Sequence, residues 1–225
     1  MTVADTIITR DAEIVLDKIL DLMAQPGFTI VGANGRTASG KSTLADFLVA
    51  AISAEYGDKA VAYVQLDNFL PKGSDATQPG ADWQGYEWHA FEAMLRRARE
   101  GEQQFVRLRD WESGEFTGGL VKINRETQIV IVEGVGIFQD HLLPYYDYKI
   151  WVECTAEESV ERGMARSAAT PKPGGGTYAE DHRELWPKWR EKDDDYIKKH
   201  RPAEKAAAIY VTSQQPESER IPVTV

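Results

Sequence analysis

The residues best able to do chemistry lie in one short loop. Residues 35–42 have the sequence Gly-Arg-Thr-Ala-Ser-Gly-Lys-Ser, which fits the pattern G-x-x-x-x-G-K-[ST]. In such a loop the backbone N–H groups turn inward to bind phosphate, Lys41 contacts the β and γ phosphates, and the Ser42 hydroxyl is a ligand for Mg²⁺. The predicted nucleotide contacts are Gly35, Arg36, Thr37, Ala38, Ser39, Gly40, Lys41, Ser42 and Thr43. The sequence therefore predicts a site for a nucleoside triphosphate.

Two acidic residues follow apolar runs that are typical of buried strands. Asp67 comes directly after residues 61–66, and Glu133 comes after residues 129–132. Because ligands of open α/β sheets bind outside the carboxyl ends of the strands, both carboxylates are expected to face the loop. Asp67 is the candidate general base for an attacking hydroxyl, and the candidate metal residues are Ser42, Glu133 and Asp67. A helix cap or a solvated acid at a strand end is the alternative for each acid.

The elements that must position these residues alternate between helix-like and strand-like segments. An amphipathic helix over residues 12–23 ends at Pro26-Gly27. Strands are predicted near residues 28–32, 60–66, 104–108, 129–133, 147–152 and 207–211, and helices after the first strand and around 89–100, 156–169 and 183–200. This alternation is typical of a three-layer α/β fold, in which a mostly parallel central sheet is flanked by helices.

The chain length predicts one domain with a small lid. A chain of 225 residues is long enough for one full α/β core but hardly for two. Residues 1–26 would hold an N-terminal helix. Residues 163–185 would hold an inserted, mobile lid, because the stretch 168–178 is rich in Pro and Gly. A second stretch of this kind covers residues 71–85.

Aromatic, basic and acidic residues elsewhere are candidates for further roles. The rings of Trp83 and Tyr86 are expected either to stack on a nucleobase or a sugar face or to pack a loop onto the sheet. Arg162 and Arg166 lie four residues apart on a predicted helix, where they would close on the γ phosphate or pair with neighbouring glutamates. The three aspartates of residues 193–195 are interpreted as a solvated helix face.

Composition argues against several classes of partner. The formal net charge is −10 and the pI is near 5, so no basic surplus is available to bind nucleic acid. No apolar run approaches membrane-spanning length, and the first residues lack the features of a secretory signal, so we expect a cytoplasmic protein without a membrane partner. The single cysteine, Cys154, is interpreted as a buried thiol. A homo-oligomer is left open.

Taken in order, these motifs resemble the uridine kinase family of P-loop kinases, in particular its divergent bacterial members. The resemblance covers residues 28–211. Besides the loop, it rests on Gln65-Leu-Asp-Asn-Phe69, Asp82-Trp83, Val132-Glu-Gly134, Tyr146-Asp-Tyr-Lys-Ile-Trp-Val152 and the arginines that follow. It implies a P-loop NTPase fold, with ATP and Mg²⁺ as cofactors.

The resemblance also implies roles for individual residues. Asp67 would be the base, and Ser42 and Glu133 would serve Mg²⁺. Asp82 would bind substrate hydroxyls. The arginines that would reach the phosphates from the lid helix are Arg162 and Arg166.

One segment departs from that family. Where members active on uridine or cytidine have a Tyr and a His that hold the base, this chain has Arg109 and Gly114. A guanidinium has a planar set of hydrogen-bond donors. If Arg109 binds the substrate, an anionic or carbonyl-bearing acceptor is therefore favoured. An arginine at the end of an edge strand is the alternative.

Three functions remain open. The first is a kinase that transfers the γ-phosphoryl group of ATP to a hydroxyl of a small molecule, with a nucleoside as the leading acceptor. The second keeps the fold and takes another hydroxyl compound, such as a pantothenate-like acid, a sugar phosphate or an antibiotic. The third is a nucleotide-dependent switch or regulatory binding protein. The acid at position 67 weighs against the third function, because a pure binder needs no base there.

Overall fold

The computed structural model describes residues 6–71, 82–110, 115–172 and 174–214. Most of the Pro- and Gly-rich stretch at 71–85 lies outside these residues, as do Gly114 and Pro173. The strands are β1 (Ile7–Thr9), β2 (Thr29–Gly35), β3 (Val61–Gln65), β4 (Gln104–Arg109), β5 (Phe116–Ile123), β6 (Ile129–Gly134), β7 (Tyr148–Glu153) and β8 (Ala208–Val211). The helices are α1 (Ala12–Met23), α2 (Lys41–Tyr56), α3 (Trp88–Arg99), α4 (Ala156–Ala169), α5 (Ala179–Arg183) and α6 (Leu185–His200).

Six strands form one parallel sheet in the order β1-β8-β7-β2-β6-β3. Every residue of β2 and β6, at the centre, is buried, as expected for strands that helices cover on both faces. Glu133 of β6 lies opposite Ala33 of β2 and Gln65 of β3. The carboxyl ends of these three strands therefore meet at one edge of the sheet, and the predicted α/β fold is confirmed.

A hydrophobic core lies on each face of the sheet. Successive side chains of a strand point to opposite faces, so Ile30 and Val31 of β2 belong to different cores. Val31 packs in one cluster with Val15 of α1 and Leu48 of α2. Ile30 packs in the other cluster, to which Phe91 of α3 also belongs. In the part of the chain that the structure describes, no helix combines the length and the apolar character of a membrane span.

Side-chain caps set where two of the helices begin. The Asp11 carboxylate accepts a hydrogen bond from the Glu13 N–H at 2.9 Å and so caps α1. Thr155 and Glu158 form a reciprocal capping box at the start of α4. The cap of α4 fixes the direction of the helix that carries the two predicted lid arginines.

The strand predicted near residues 104–108 exists as β4, but it lies outside the parallel sheet. It pairs antiparallel with β5 in a separate two-stranded sheet. The sequence prediction omits β5, because Gly118 and Gly119 interrupt the segment and most of its residues are exposed, so no alternating apolar pattern marks it. It also omits β1, which has only three residues and extends the edge of the parallel sheet beside β8.

The predicted lid region contains the second half of α4, all of α5 and the chain between them. The helix predicted at 183–200 begins at Leu185, directly after α5. α4 and α6 approach each other closely at Gly163, where an added Cβ atom would lie 2.1–2.3 Å from ring atoms of Trp186. Glycine at this position therefore lets the Trp186 ring pack directly against the backbone of α4.

Candidate active site

The phosphate loop joins β2 to α2 through positions that favour glycine. Gly40 precedes α2 with a φ of +99°, and Ala38 has a φ of +57°. A Cβ atom at Gly35 would lie 2.5 Å from both Ser39 Oγ and the Val152 carbonyl oxygen. The backbone conformation at position 40 and the lack of space at position 35 explain why the motif needs glycine at both ends.

Lys41 lies inside the loop that precedes it. Its Nζ atom donates a hydrogen bond to the Arg36 carbonyl oxygen at 2.7 Å, and only 7% of the residue is exposed. α2 begins at this residue, so the N–H groups of its first turn and the positive end of its dipole lie beside the ammonium group. The arrangement favours a bound polyphosphate.

Ser42 and Glu133 place two oxygen atoms side by side in front of the loop. The Ser42 hydroxyl donates a hydrogen bond to Glu133 Oε1 at 3.0 Å, and the Tyr63 hydroxyl donates to the same oxygen at 3.3 Å. Burial raises the pKa of Glu133, although the charge of Lys41 and these hydrogen bonds lower it. A cation beside Glu133 would favour its ionised form.

The donor set of Ser42 and Glu133 fits Mg²⁺. Within residues 6–71, 82–110, 115–172 and 174–214, no group of three or more His, Cys, Asp or Glu side chains could hold a metal ion. Mg²⁺ in a nucleotide site needs no such group, because it keeps several waters and binds phosphate oxygens together with one or two protein ligands. A hydroxyl and a buried carboxylate at hydrogen-bond distance supply ligands of that kind.

Asp67 faces the same space from the 3-10 turn Leu66–Phe69, which follows β3. Its Oδ1 atom accepts a hydrogen bond from the Tyr86 hydroxyl at 2.8 Å. Burial raises the pKa of Asp67, while the Tyr86 hydrogen bond and the charges of Lys41 and Arg166 lower it. A carboxylate with raised proton affinity, oriented by one hydrogen bond, has the properties of a general base.

A cavity of about 800 Å³ joins these groups. The predicted site residues that line it are Thr37, Ala38, Gly40, Lys41, Ser42, Thr43, Asp67, Trp83, Tyr86, Glu133, Arg162 and Arg166. Other aromatic side chains that line it include Phe47, Trp189 and Tyr210. The structure thus brings residues from distant parts of the sequence to the carboxyl edge of the sheet. Their individual roles stay predictions.

Two predicted substrate-binding residues do not line this cavity. The Asp82 carboxylate accepts hydrogen bonds from Lys199 at 2.7 Å and lies 2.7 Å from His200 Nε2. Partial burial raises the pKa of Asp82, but Lys199 and His200 more than offset this effect, so the net shift is downward. Arg109 lies in β4, where its guanidinium carbon is 4.1 Å from the centre of the Phe116 ring. The substrate roles of Asp82 and Arg109 stay predictions as well.

Both predicted lid arginines lie on α4 and line the cavity. Arg162 donates hydrogen bonds to the Thr212 hydroxyl at 3.0 Å and to the Thr212 carbonyl oxygen at 2.8 Å. The Thr212 hydroxyl in turn donates to the Ser39 carbonyl oxygen at 2.8 Å. Arg162 is thus connected to the phosphate loop through one residue. The Arg166 guanidinium lies 5.9 Å from the Trp186 ring centre.

The interpretation of residues 193–195 as a solvated face is wrong for Asp193. That residue is buried, and its Oδ2 atom accepts a hydrogen bond from the Thr37 N–H at 2.8 Å. A signal was available in the sequence, because Trp189, Asp193 and Tyr196 recur at the spacing of one helix face. The three consecutive aspartates made this buried helix face look like a solvent-exposed one.

Sequence reasoning also missed His182, which lines the cavity from α5. Its Nδ1 atom lies 2.9 Å from Ser167 Oγ, and its ring packs edge-to-face on Trp189 with centres 5.7 Å apart. Burial lowers the pKa of His182 and the Arg166 charge adds to this effect, although the Asp181 charge opposes it. The ring also stacks on Tyr178, four residues earlier, but the sequence does not show that the pair faces the cavity, because Ser167 and Trp189 belong to other helices.

Comparison with known proteins gives sequence relatives over part of the chain. No family model matches it. A pantothenate kinase of Lactococcus lactis is 27% identical over 144 residues, which are 59% of this chain and 47% of that protein. A pantothenate kinase of Streptococcus pneumoniae is 24% identical over 140 residues, which are 57% of this chain and 46% of that protein. This chain spans about half the length of these curated relatives.

Solved structures match nearly all of the chain. A possible uridine kinase from Bacillus stearothermophilus superposes with a TM-score of 0.62 and 15% identity over 88% of this chain and 96% of that one. The phosphoribulokinase of Rhodobacter spheroides gives a TM-score of 0.57 and 13% identity over 87% of this chain and 74% of that one. The predicted resemblance to P-loop kinases is confirmed at the level of the fold.

Proposed function

We propose that this chain, which has the fold of P-loop kinases, transfers the γ-phosphoryl group of ATP to a hydroxyl group of a small molecule, with Mg²⁺ as its metal. The observation that carries the proposal is that a phosphate-binding loop and the Asp67 carboxylate, with its raised pKa, line one cavity. A nucleotide-dependent switch needs the loop but has no use for a base beside it.

The donor nucleotide would bind along the loop. The inward-facing N–H groups and the first turn of α2 would hold the phosphates, and Lys41 would neutralise charge on the β and γ groups. Ser42 and Glu133 would hold Mg²⁺, which supplies further neutralisation of the phosphate oxygens when it is bound. Arg162 already contacts the loop through Thr212, so it is well placed to order the phosphates.

The acceptor would lie against Asp67. Its hydroxyl proton would pass to the Asp67 carboxylate as the oxygen attacks the γ phosphorus, and the Tyr86 hydrogen bond would keep that carboxylate in a fixed orientation. Arg166, whose charge acts on Asp67, would neutralise charge on the transferring group from the lid. Little covalent chemistry is required of the protein beyond positioning and this proton transfer.

The acceptor that we favour is a nucleoside. The rings of Trp83, Tyr86 and Trp189 give the cavity flat apolar surfaces. Such surfaces suit a nucleobase or the face of a sugar. A pantothenate-like hydroxy acid is the second candidate, because the proteins whose sequences align with part of this chain are named pantothenate kinases. Both candidates present a hydroxyl group to Asp67 and differ in what lies behind it.

The test is ADP release from Mg·ATP in the presence of a panel of acceptors. The panel contains uridine, cytidine, other nucleosides, pantothenate, and simple sugars with their phosphates. We expect one class to stimulate release in the wild-type protein and not in Asp67→Asn. ATP binding without stimulation by any acceptor would contradict the kinase proposal and favour a nucleotide-dependent switch.

A further inference from the structure

The three consecutive aspartates of α6 occupy different environments. Asp194 and Asp195 are exposed, and Asp194 forms an ion pair with Arg36 at 2.6 Å. Asp193 is only 2% exposed and lies on the buried face of the helix together with Tyr196. One carboxylate of the run therefore points into the protein, whereas its two neighbours meet water.

The buried carboxylate holds the backbone of the phosphate loop. Asp193 Oδ2 accepts the hydrogen bond from the Thr37 N–H at 2.8 Å. The carbonyl oxygen of the same residue accepts a hydrogen bond from Ser159 Oγ at 2.5 Å. Both backbone polar groups of Thr37 are therefore bonded to side chains, one from α6 and one from α4.

Burying a carboxylate at this place is unfavourable by itself. Burial raises the pKa of Asp193 to about 6, although the Thr37 N–H, Lys41 and Arg36 act in the opposite direction. The Tyr86 and Tyr196 hydroxyls also interact with its charge. An apolar side chain of similar size would avoid the desolvation cost, but it would leave the Thr37 N–H without its acceptor. The contact with the loop accounts for an acid at this position.

We propose that Asp193 is a positioning residue for nucleotide binding: it fixes Thr37 against α6 and so holds the phosphate loop in the conformation that receives a polyphosphate. The inference rests on the proposed function, since it requires the loop to be a nucleotide site. Asp193 touches neither the phosphates nor the reacting atoms in this scheme, and it acts through Thr37.

The two anchors of Thr37 also connect the loop to the lid. Ser159 belongs to α4, and further along that helix Arg162 and Arg166 line the cavity. Because Thr37 is bonded to both α4 and α6, a nucleotide that orders the loop would also order α4, which carries these arginines. Loss of the Asp193 anchor would remove the contact between Thr37 and α6, while the ion pair of Arg36 with Asp194 and the two arginines of α4 would stay in place.

The first experiment measures the dissociation constant of Mg·ADP by calorimetry for the wild type, Asp193→Ala, Asp193→Asn and Asp195→Ala. Asp195→Ala is a matched control, because it removes the same side chain from the exposed face of the same helix. We expect Asp193→Ala to weaken binding by about 10- to 100-fold, the range for loss of a hydrogen bond to a charged group. Asp193→Asn keeps an oxygen acceptor and is expected to stay within about threefold of the wild type, as is Asp195→Ala.

Steady-state kinetics separate positioning from a general loss of structure. With the acceptor identified by the panel above, Asp193→Ala should raise KM for ATP and leave KM for the acceptor unchanged. If Asp193→Ala does not fold, Ser159→Ala removes the other anchor of Thr37 and should weaken Mg·ADP binding severalfold. Asp193→Asn, which should bind Mg·ADP nearly as well as the wild type, is then the variant for comparison.

Several results would overturn the inference. Wild-type affinity in Asp193→Ala or in Ser159→Ala would do so, and so would equal weakening in Asp195→Ala or no recovery in Asp193→Asn. These failures leave the proposed function intact, because the wild type still binds the nucleotide. Failure of the wild type to bind Mg·ADP would overturn the proposed function as well.

Discussion

Two parts of the cavity lining are built in different ways. One is the phosphate loop, and the other is a wall that we call the acceptor wall, formed by Asp67, Trp83, Tyr86 and Trp189. The loop consists of eight consecutive residues, 35–42, between a central strand and the helix that follows. The acceptor wall combines the turn after β3, the residues before α3 and a face of α6. The loop is a local structure, whereas the acceptor wall exists only after the helices have packed on the sheet.

This difference separates what is general in the site from what is particular. A local loop with a lysine, a hydroxyl and a helix N-terminus serves any nucleoside triphosphate. On the proposed function, selection of the acceptor would depend on the shape of the aromatic wall, which long-range packing sets. Substitutions in the two regions should therefore have different effects.

The largest effect is expected for Lys41→Ala on the loop. Removing the buried ammonium beside the loop takes away charge neutralisation in the transition state, so kcat/KM for ATP should fall by about 10³-fold. Steady-state ADP release with the stimulating acceptor measures it. Lys59→Ala removes an exposed lysine that forms a surface ion pair with Glu126, and it is the control. A loss of less than tenfold in Lys41→Ala would contradict the role of the loop.

The next effect concerns how the acceptor wall is supported. Gly163→Ala places a Cβ atom within 2.1–2.3 Å of the Trp186 ring, which packs edge-to-face on Trp189 of the wall with centres 4.9 Å apart. Overpacking of this kind should lower the free energy of unfolding by about 1 to 3 kcal/mol. Urea denaturation measures the change, and Met164→Ala on the exposed side of α4 is the control. Unchanged stability would show that the contact between α4 and α6 adapts freely.

A smaller effect is expected when Tyr86→Phe removes the hydrogen bond to Asp67. That bond lowers the pKa of Asp67, so its loss should raise the pKa further. A general base acts when it is ionised, so activity should fall as the pH drops through the pKa of Asp67 if Asp67 is the base. The acid limb of the pH profile of kcat/KM should move to higher pH, with Tyr56→Phe, at an exposed site, as control. An acid limb at the same pH as in the wild type would contradict a role of Asp67 in proton transfer.

The smallest effect is expected for Asp82→Asn, outside the cavity lining. Its partly exposed ion pair with Lys199 should contribute less than about 1 kcal/mol to stability. Because the pKa of Asp82 is lowered, this contribution is present at neutral pH and is lost as the pH falls through the folded-state pKa. Denaturation at two pH values measures it. KM for the acceptor should stay within about threefold of the wild type; a clear rise would place Asp82 in the acceptor wall, as the resemblance implies.

The parts of the site that could be predicted from sequence are those with local signals. The loop motif is contiguous, and Asp67 and Glu133 follow apolar runs whose carboxyl ends must meet in a parallel sheet. Asp193 could not be recognised with the same ease, because its two acidic neighbours give the segment the character of a solvated face. His182 stacks on Tyr178 four residues earlier, but its place in the cavity depends on packing against α4 and α6, which the sequence does not show.

The same contrast applies to the fold. The central strands β2 and β6 are fully buried and each contains a short apolar run, and their prediction holds. The pairing of β4 with β5 could not be predicted, since nothing in the exposed, glycine-containing β5 indicates a strand or names its partner. The sequence pattern predicts those strands and helices that are marked by buried apolar residues. Which strand pairs with which depends on tertiary contacts, and these are seen only in the structure.

Asp67→Asn tests whether the loop binds the donor while Asp67 acts on the acceptor in the same cavity. The Mg·ATP dissociation constant and the single-turnover rate of transfer to the stimulating acceptor are measured on the same sample. The account predicts a dissociation constant within about threefold of the wild type and a transfer rate lower by about 10²- to 10⁴-fold. Transfer at the wild-type rate by Asp67→Asn would contradict it.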